Sequence, residues 1–354
     1  MSGPTTRVTE VTEEPPPNWD ERTVTAPGGH VLQGTRWAVH KGRQGWRPRF
    51  VTFSDRRAAT VLTHAQPPLP GFVAYAPRGP ISAGDSPEAV ALRCAALAGW
   101  LRGQGATILA VDPELDRSAT YESALAARGF RPTEEIQPSR HRMLLPLPAG
   151  ASQESVFRDI AKATRQRIRA AERAGTLVCE DPDGAHLETF ARLVDATARR
   201  KGFTFAEEQG FLGWWRLVLE AHQARFLVAT NGETVLGGLI VYLQGGHHAT
   251  AFSADRADLR DSCPGTLHLL RWTAIRDALA AGVPYIDLGG VDIRGAREHP
   301  RPGDPTWGMY QHKASFGAVW AESQPAHEVV FRPWTYRAGL AGRAVLRALR
   351  RLRS

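Results

Sequence analysis

A chain of 354 residues, 42% of them hydrophobic, buries a sizeable core but is long for one simple domain, so two domains are expected. Three scattered cysteines with no C-x-x-C pair argue against a disulfide framework or a zinc site and fit a reducing cytoplasm, and no apolar run reaches membrane-spanning length. The net charge is +8, yet six arginines follow Pro333 with no acid after Glu328, so most of that excess belongs to the tail.

The first residues, MSGPTTRVTEVTEEPPPNWDE, are polar, acidic and proline-rich, which predicts a disordered leader over 1–29 and no signal peptide. Near residue 50 comes RFVTFSDRRAATVLTHAQ, then GFVAYAPRGP, an apolar-periodic helix ALRCAALAGWLRGQGA and a strand TILAVDP. From Arg225 the same order returns: RFLVATNGETVLGGLIVYLQ, HHATAFSAD, the helix GTLHLLRWTAIRDALAAGV and the strand YIDLGGV. Turn signals match too, with Ser54-Asp55 in one copy and Asn231-Gly232 in the other. A repeat this long indicates duplicated domains rather than a solenoid. The expected boundaries are 30–148 for the first domain, 149–332 for the second and 333–354 for a basic tail; the last segment of the second is free to pack back on the first.

Hairpin strands feeding a strand–helix–strand step give an α/β fold, and this order resembles the GNAT acyltransferase fold. In that fold a glycine-paired loop at a helix N-terminus holds the pyrophosphate of an acyl-CoA. The corresponding loops here, RGPISAGDSPEA and RADLRDSCPGT, lack the glycine pair. That argues against an acetyl-CoA-dependent acetyltransferase, the first alternative.

Between the copies, IAKATRQRIRAAERAG places Lys162, Arg165, Arg169 and Arg173 at helical spacing, a basic stripe suited to tracking phosphates and equally to a solvated face. In the tail, Val345, Leu349 and Leu352 recur opposite Arg343, Arg347 and Arg350, which reads as a basic amphipathic helix for a membrane surface or nucleic acid, or as an ordinary docked helix. His247-His248 reads as a hairpin edge, because no acid or thiol lies at ligand spacing.

Lysine is scarce: of 44 Lys+Arg only Lys41, Lys162, Lys201 and Lys313 are lysines. Where arginine is the default cation, a retained lysine suggests a need for a compact ammonium. Four segments, LQGTRWAVHKGRQGW, FVAYAPRGP with ILAVDPE, IAKATRQRIRAAERAG, and YIDLGGV with GMYQHKASFGAVW, together resemble the FemABX family of aminoacyl-tRNA-dependent peptidyltransferases. The resemblance implies two tandem GNAT-like acyltransferase domains, here without the long helical arm of some members.

The same resemblance implies roles for individual residues. Lys313 takes the place of the lysine that stabilises charge at the aminoacyl ester, and Asp112, at a strand end, of a proton acceptor for the attacking ammonium; a plain Asp-Pro turn is the alternative for Asp112. Lys41 with Trp37 matches an acceptor-phosphate lysine, and Tyr310, Phe252 and Gln209 fall in substrate-binding segments. Two departures stand out: Phe205 where the family carries a phosphate arginine, and Phe252 where a tyrosine is common. Implied partners are aminoacyl-tRNA and a peptidoglycan precursor or another amine, with peripheral membrane contact through the tail. No cofactor or metal is required, and a cytoplasmic monomer is expected. A non-catalytic tRNA- or lipid-binding module is the reading from another class.

Overall fold

The computed structural model describes residues 6–200 and 210–341 and divides the chain into two compact units, residues 1–136 with 323–354, and residues 137–322. The division thus falls before the expected boundary at 148. The reason is the strand at Arg142–Pro146, which pairs into the second sheet.

In the first unit the strands are β1 (Val8–Thr12), β2 (Arg47–Phe53), β3 (Ala58–Ala65), β4 (Phe72–Ala76), β5 (Ala106–Val111) and β6 (Arg131–Thr133), with helices α1 (Thr35–Gly42), α2 (Pro87–Gly103) and α3 (Ala119–Ala126). In the second, β7 (Arg142–Pro146), α4 (Gln153–Asp159), α5 (Lys162–Arg173), β8 (Leu177–Glu180), α6 (Leu187–Arg200) and α7 (Phe211–Glu220) precede β9 (Ala224–Asn231), β10 (Thr234–Gln244) and β11 (His247–Asp255). Then follow α8 (Thr266–Ala280), β12 (Tyr285–Asp287), α9 (Trp307–Ala314) and β13 (Val319–Ala321), and finally β14 (Ala326–Val330), which returns to the first unit.

The two sheets repeat one plan. The first runs β1-β2-β3-β4-β5-β14-β6 and the second, in the same sense, β8-β9-β10-β11-β12-β7-β13. Each has a single parallel pair, β4/β5 and β11/β12, bridged by the crossover helices α2 and α8. The sixth place is filled in the first sheet by the strand that follows the whole second unit, and in the second by the strand that follows β6.

Sequence chemistry explains the elements. Ser86 caps α2 by accepting from Ala89 N–H, with proline in its first turn. Strand β3, AATVLTHA, is buried along six consecutive residues because both faces of its sheet are covered. On one face Val51, Phe53, Ala74 and Leu109 pack with Val90, Leu97 and Leu101 of α2, and on the other Trp19, Ala38, Phe50 and Ala58 form a smaller cluster.

That second cluster corrects the expected leader. From residue 6 the segment is structured: β1 pairs with β2, Trp19 is 2% exposed, and its indole N–H donates to Gln33 O at 3.2 Å and Thr60 Oγ1 at 2.9 Å. The prolines and acids dominate the composition, but a few apolar side chains supply the burial. Between β8 and β9 the described residues hold only α6 and α7, of 14 and 10 residues, which leaves the compact, armless form.

Candidate functional site

In the second unit, parallel pairing of β11 with β12 is confined to His248 with Ile286 and Ala249 with Asp287; β12 then ends while β11 runs on. There the chain turns through Leu288-Gly289-Gly290, and each of the three carbonyls accepts from a buried cation. Arg271 Nη1 donates to Leu288 O at 3.2 Å, and Lys313 Nζ donates to Gly289 O and Gly290 O, both at 2.9 Å. Gly289 has φ +80°, and its N–H donates to Asp287 Oδ1 at 2.7 Å. A Cβ there would meet Thr250 O at 2.9 Å and Lys313 Nζ at 3.2 Å.

Lys313, on α9, is only 6% exposed, so it is not a surface lysine. Arg271, on α8, is equally enclosed, and burial pulls its pKa down to about 10 against the favourable charge of Asp287. One turn earlier, burial lowers His268 to about 4, helped by the nearby Arg167 and Arg271 charges, which leaves the ring neutral at physiological pH. Asp287 anchors the turn by accepting from Gly289 N–H. Arg271 and Gly289 escaped the sequence reading, since one buried arginine looks like any other in an arginine-rich chain.

Helix α5 buries Thr164, Ile168 and Ala171 and turns Lys162, Arg169 and Arg173 to solvent. Arg165 is half-buried and donates to Arg158 O, and Arg169 lies 5.5 Å over the ring of Phe157. The stripe is therefore a real face, with two members, Arg165 and Arg169, partly committed to the protein. Phe252 packs on Phe211 and Trp215 with centroids at 4.6 and 5.2 Å, an apolar cluster in which a tyrosine hydroxyl would need a partner. Tyr310 stacks on Trp307 at 5.3 Å and meets His299 edge-on. Gln209 and Phe205 lie outside the described residues. His247 is engaged by Tyr285, by a ring contact and a 3.2 Å hydrogen bond, and the described residues contain no cluster of metal-binding side chains.

In the first unit, Asp112 follows β5 and is 2% exposed. Tyr75 O–H donates to Oδ2 at 2.7 Å and Arg78 N–H to Oδ1 at 2.6 Å. Burial pushes its pKa up to about 6, although the Arg78 charge and the Tyr75 hydrogen bond favour the carboxylate. Arg78 sits at φ +51°, so the carboxylate also secures a left-handed bend in a non-glycine residue. Lys41 Nζ lies 4.7 Å over the ring of Trp37 and donates to Gln44 Oε1 at 2.8 Å.

The loop before α2, where an acyl-CoA pyrophosphate would sit in a GNAT domain, carries its own anion. Asp85 accepts two 2.9 Å bonds from Arg57 and another from Arg93, itself 2% exposed and also bonded to Asp55. Burial of Asp85 raises its pKa, but the arginine bonds outweigh this and the net shift is downward. On the sheet face away from α2, a groove of about 460 Å³ is walled by Trp46, His64, Tyr75 and Tyr336. Its lining carries Glu134 and Glu328 and, among the described residues, no lysine or arginine.

The plan of two seven-stranded sheets, each with one parallel pair crossed by a helix, defines a tandem GNAT-like protein. Residues 18–128 match the FemAB family model and residues 158–302 the model of an acetyltransferase (GNAT) domain. The lipid II:glycine glycyltransferase of Staphylococcus aureus is 28% identical over 191 residues, 50% of this chain and 44% of that protein. This chain thus matches less than half the length of that relative. Among solved structures, FemX superposes with a TM-score of 0.77 at 18% identity, covering 93% of this chain and 99% of the other. L-PGS from Bacillus licheniformis gives 0.55 at 13%, covering 91% and 94%. Residues 18–128 are thus similar to the FemAB family, and the chain shares the fold of FemX.

Proposed function

We propose that the protein is an aminoacyl-tRNA-dependent acyltransferase that adds an amino acid to an amino group of a peptidoglycan-precursor stem peptide. The observation that carries this reading, beside the similarity to the FemAB family, is the buried Lys313 side chain on the Gly289–Gly290 turn, at the end of β12 where acyl transfer is expected in a GNAT-like unit. In the reaction the acceptor nitrogen attacks the ester carbonyl, the C–N bond forms, the ester C–O bond breaks, and the terminal ribose hydroxyl departs with a proton. Lys313 supplies positive charge for the oxyanion and orders the turn. In the first unit, burial raises Asp112 to about 6, so its carboxyl can exchange a proton near neutral pH. The groove in the first unit has aromatic walls that suit a cationic amine, while its Glu328 is already paired with Arg131 and Tyr336. The α5 stripe suits the tRNA backbone, and the internal Asp85–arginine cluster disfavours CoA in the first unit. A cytoplasmic enzyme reaching a lipid-linked precursor works at the inner membrane face.

A second reading keeps the chemistry and changes the acceptor to a natural-product or carrier-bound amine. The apolar packing of Phe252 on Phe211 and Trp215 favours it, since no hydroxyl is presented there to a sugar-nucleotide.

The test is single-turnover transfer from charged tRNA to a precursor and to simple amines. Lys313→Met is expected to slow transfer by about 10²-fold or more, with Lys313→Arg run beside it to control for loss of the buried charge. Wild-type rates in Lys313→Met, or acetyl transfer from acetyl-CoA at micromolar concentration, would remove the reading.

A further inference from the structure

Past β14 the chain is helical over residues 333–341. Its inward side is fixed: Tyr336 O–H donates to Glu328 Oε1 at 2.9 Å, and Arg131, bonded to the same carboxylate, lies 5.6 Å from the Tyr336 ring. The opposite side presents Trp334, 81% exposed, with the Arg337 guanidinium 5.6 Å over its ring and Ala338 one turn on. Single exposed aliphatic residues are ordinary, but an indole held out to solvent on an anchored helix and paired with an arginine is an amphipathic surface in want of a partner.

The sequence says which partner. The spacing begun by Trp334 and Ala338 continues as Ala341, Val345, Leu349 and Leu352, between Arg337, Arg343, Arg347, Arg350, Arg351 and Arg353. Residues from 342 on lie outside the described part and enter this argument only as sequence. An RNA backbone makes use of the arginines and of one stacked indole, but has no use for a continuing apolar row. A bilayer surface uses all three: indole at the headgroup level, aliphatic side chains at the acyl boundary, and arginines on lipid phosphates.

We propose that the Trp334–Arg337 face of the terminal helix docks on an anionic lipid bilayer, with the Trp334 indole inserted among the headgroups. This deepens the reading of an enzyme with a lipid-linked acceptor and rests on it for its purpose, while the docking is measured without any transfer reaction.

The experiment is sedimentation of the full chain with vesicles of phosphatidylcholine alone and of phosphatidylcholine containing about a third phosphatidylglycerol, alongside a gel-shift with uncharged tRNA. The expected result is partition to anionic vesicles only, reduced by about 10-fold or more in Trp334→Ala, partly restored in Trp334→Phe, and weakened by salt and by Arg337→Gln. Because Trp334 is exposed, these variants are expected to keep the melting temperature of the parent. Equal partition of Trp334→Ala and the parent would overturn the proposal, as would equal binding to neutral vesicles. A Trp334-dependent gel-shift with no vesicle binding would assign the surface to RNA instead. Unchanged transfer to a soluble acceptor in Trp334→Ala, with vesicle binding lost, supports docking separately from catalysis; loss of transfer in the parent itself would strike the functional reading and leave docking standing.

Discussion

At the scale of single residues, Gly289 is the sharpest point of the second unit. Any side chain there must adopt φ +80°, pass within 2.9 Å of Thr250 O and press on Lys313 Nζ. Gly289→Ala is therefore expected to cost about 1–2 kcal/mol of stability from the left-handed backbone and crowding, and to lower kcat more than its effect on melting temperature explains, because Lys313 moves with the turn. Thermal denaturation beside single-turnover transfer measures both. Asp112 carries a pH signature. Its pKa is raised from 3.8 to about 6, so its contribution to stability falls as pH rises from about 4 to about 6 and is flat above. A base that must be ionised gives the opposite trend in rate: transfer rises with pH through about 6, and Asp112→Asn is expected to lower the rate and abolish that limb. A limb that persists in the variant would reassign the titration. Lys313 and Asp112 stand out in the sequence, as a rare lysine in an arginine-rich chain and an acid at a strand end, and the structure buries both, at 6% and 2% exposure. Arg271 and Arg93, both almost fully enclosed, did not stand out, since what distinguishes them is burial and the chain holds forty arginines in all.

At the scale of elements, the long strands and crossover helices could be read directly, because tight turns at Ser54-Asp55 and Asn231-Gly232 bracket hydrophobic runs and repeat in order. The three-residue strands β6 and β13 could not. Arg131-Pro132-Thr133 has no alternation, and β13 gains its strand geometry from pairing with β7 rather than from its own residues. The N-terminal segment was misread for a related reason: composition averages over prolines and acids, whereas burial is decided by Trp19, Thr23 and Val24. Helix α5 offers an element-level test. Three of its four stripe cations face solvent, so phosphate contacts would release counterions, and binding of charged tRNA should weaken steeply with salt. Replacing Lys162, Arg169 and Arg173 by glutamine should lower the steepness of log K against log salt by roughly 2–3, about 0.9 per lost contact. Their side chains are exposed, so stability should hold. An unchanged slope would return α5 to an ordinary solvated face.

At the scale of the whole molecule, the chain path makes the units unequal. The second unit, residues 137–322, contains every strand of its sheet, with β7 pairing β12 and β13 inside the segment. The first does not close until the chain has passed through the second, because β14 alone joins β5 to β6. That strand is held by more than ladder bonds: Ala326 N–H donates to Glu135 Oε1 at 2.9 Å, Glu328 accepts from Arg131 at 2.6 and 3.0 Å, and Val329 lies in the core with Leu109 and Tyr121. Without β14, residues 1–136 would expose an unpaired apolar edge on β5 and leave β6 with no neighbour, an aggregation-prone arrangement. The expected outcome is that a fragment of residues 137–322 melts cooperatively on its own, whereas residues 1–136 expressed alone aggregate or show no cooperative transition. Joining residues 323–341 to residue 136 through a flexible linker should restore a cooperative transition to the first unit. Circular dichroism melts of the three fragments decide the matter: a stable, cooperative 1–136 fragment would mean that β14 is an accessory edge rather than the strand that completes the fold.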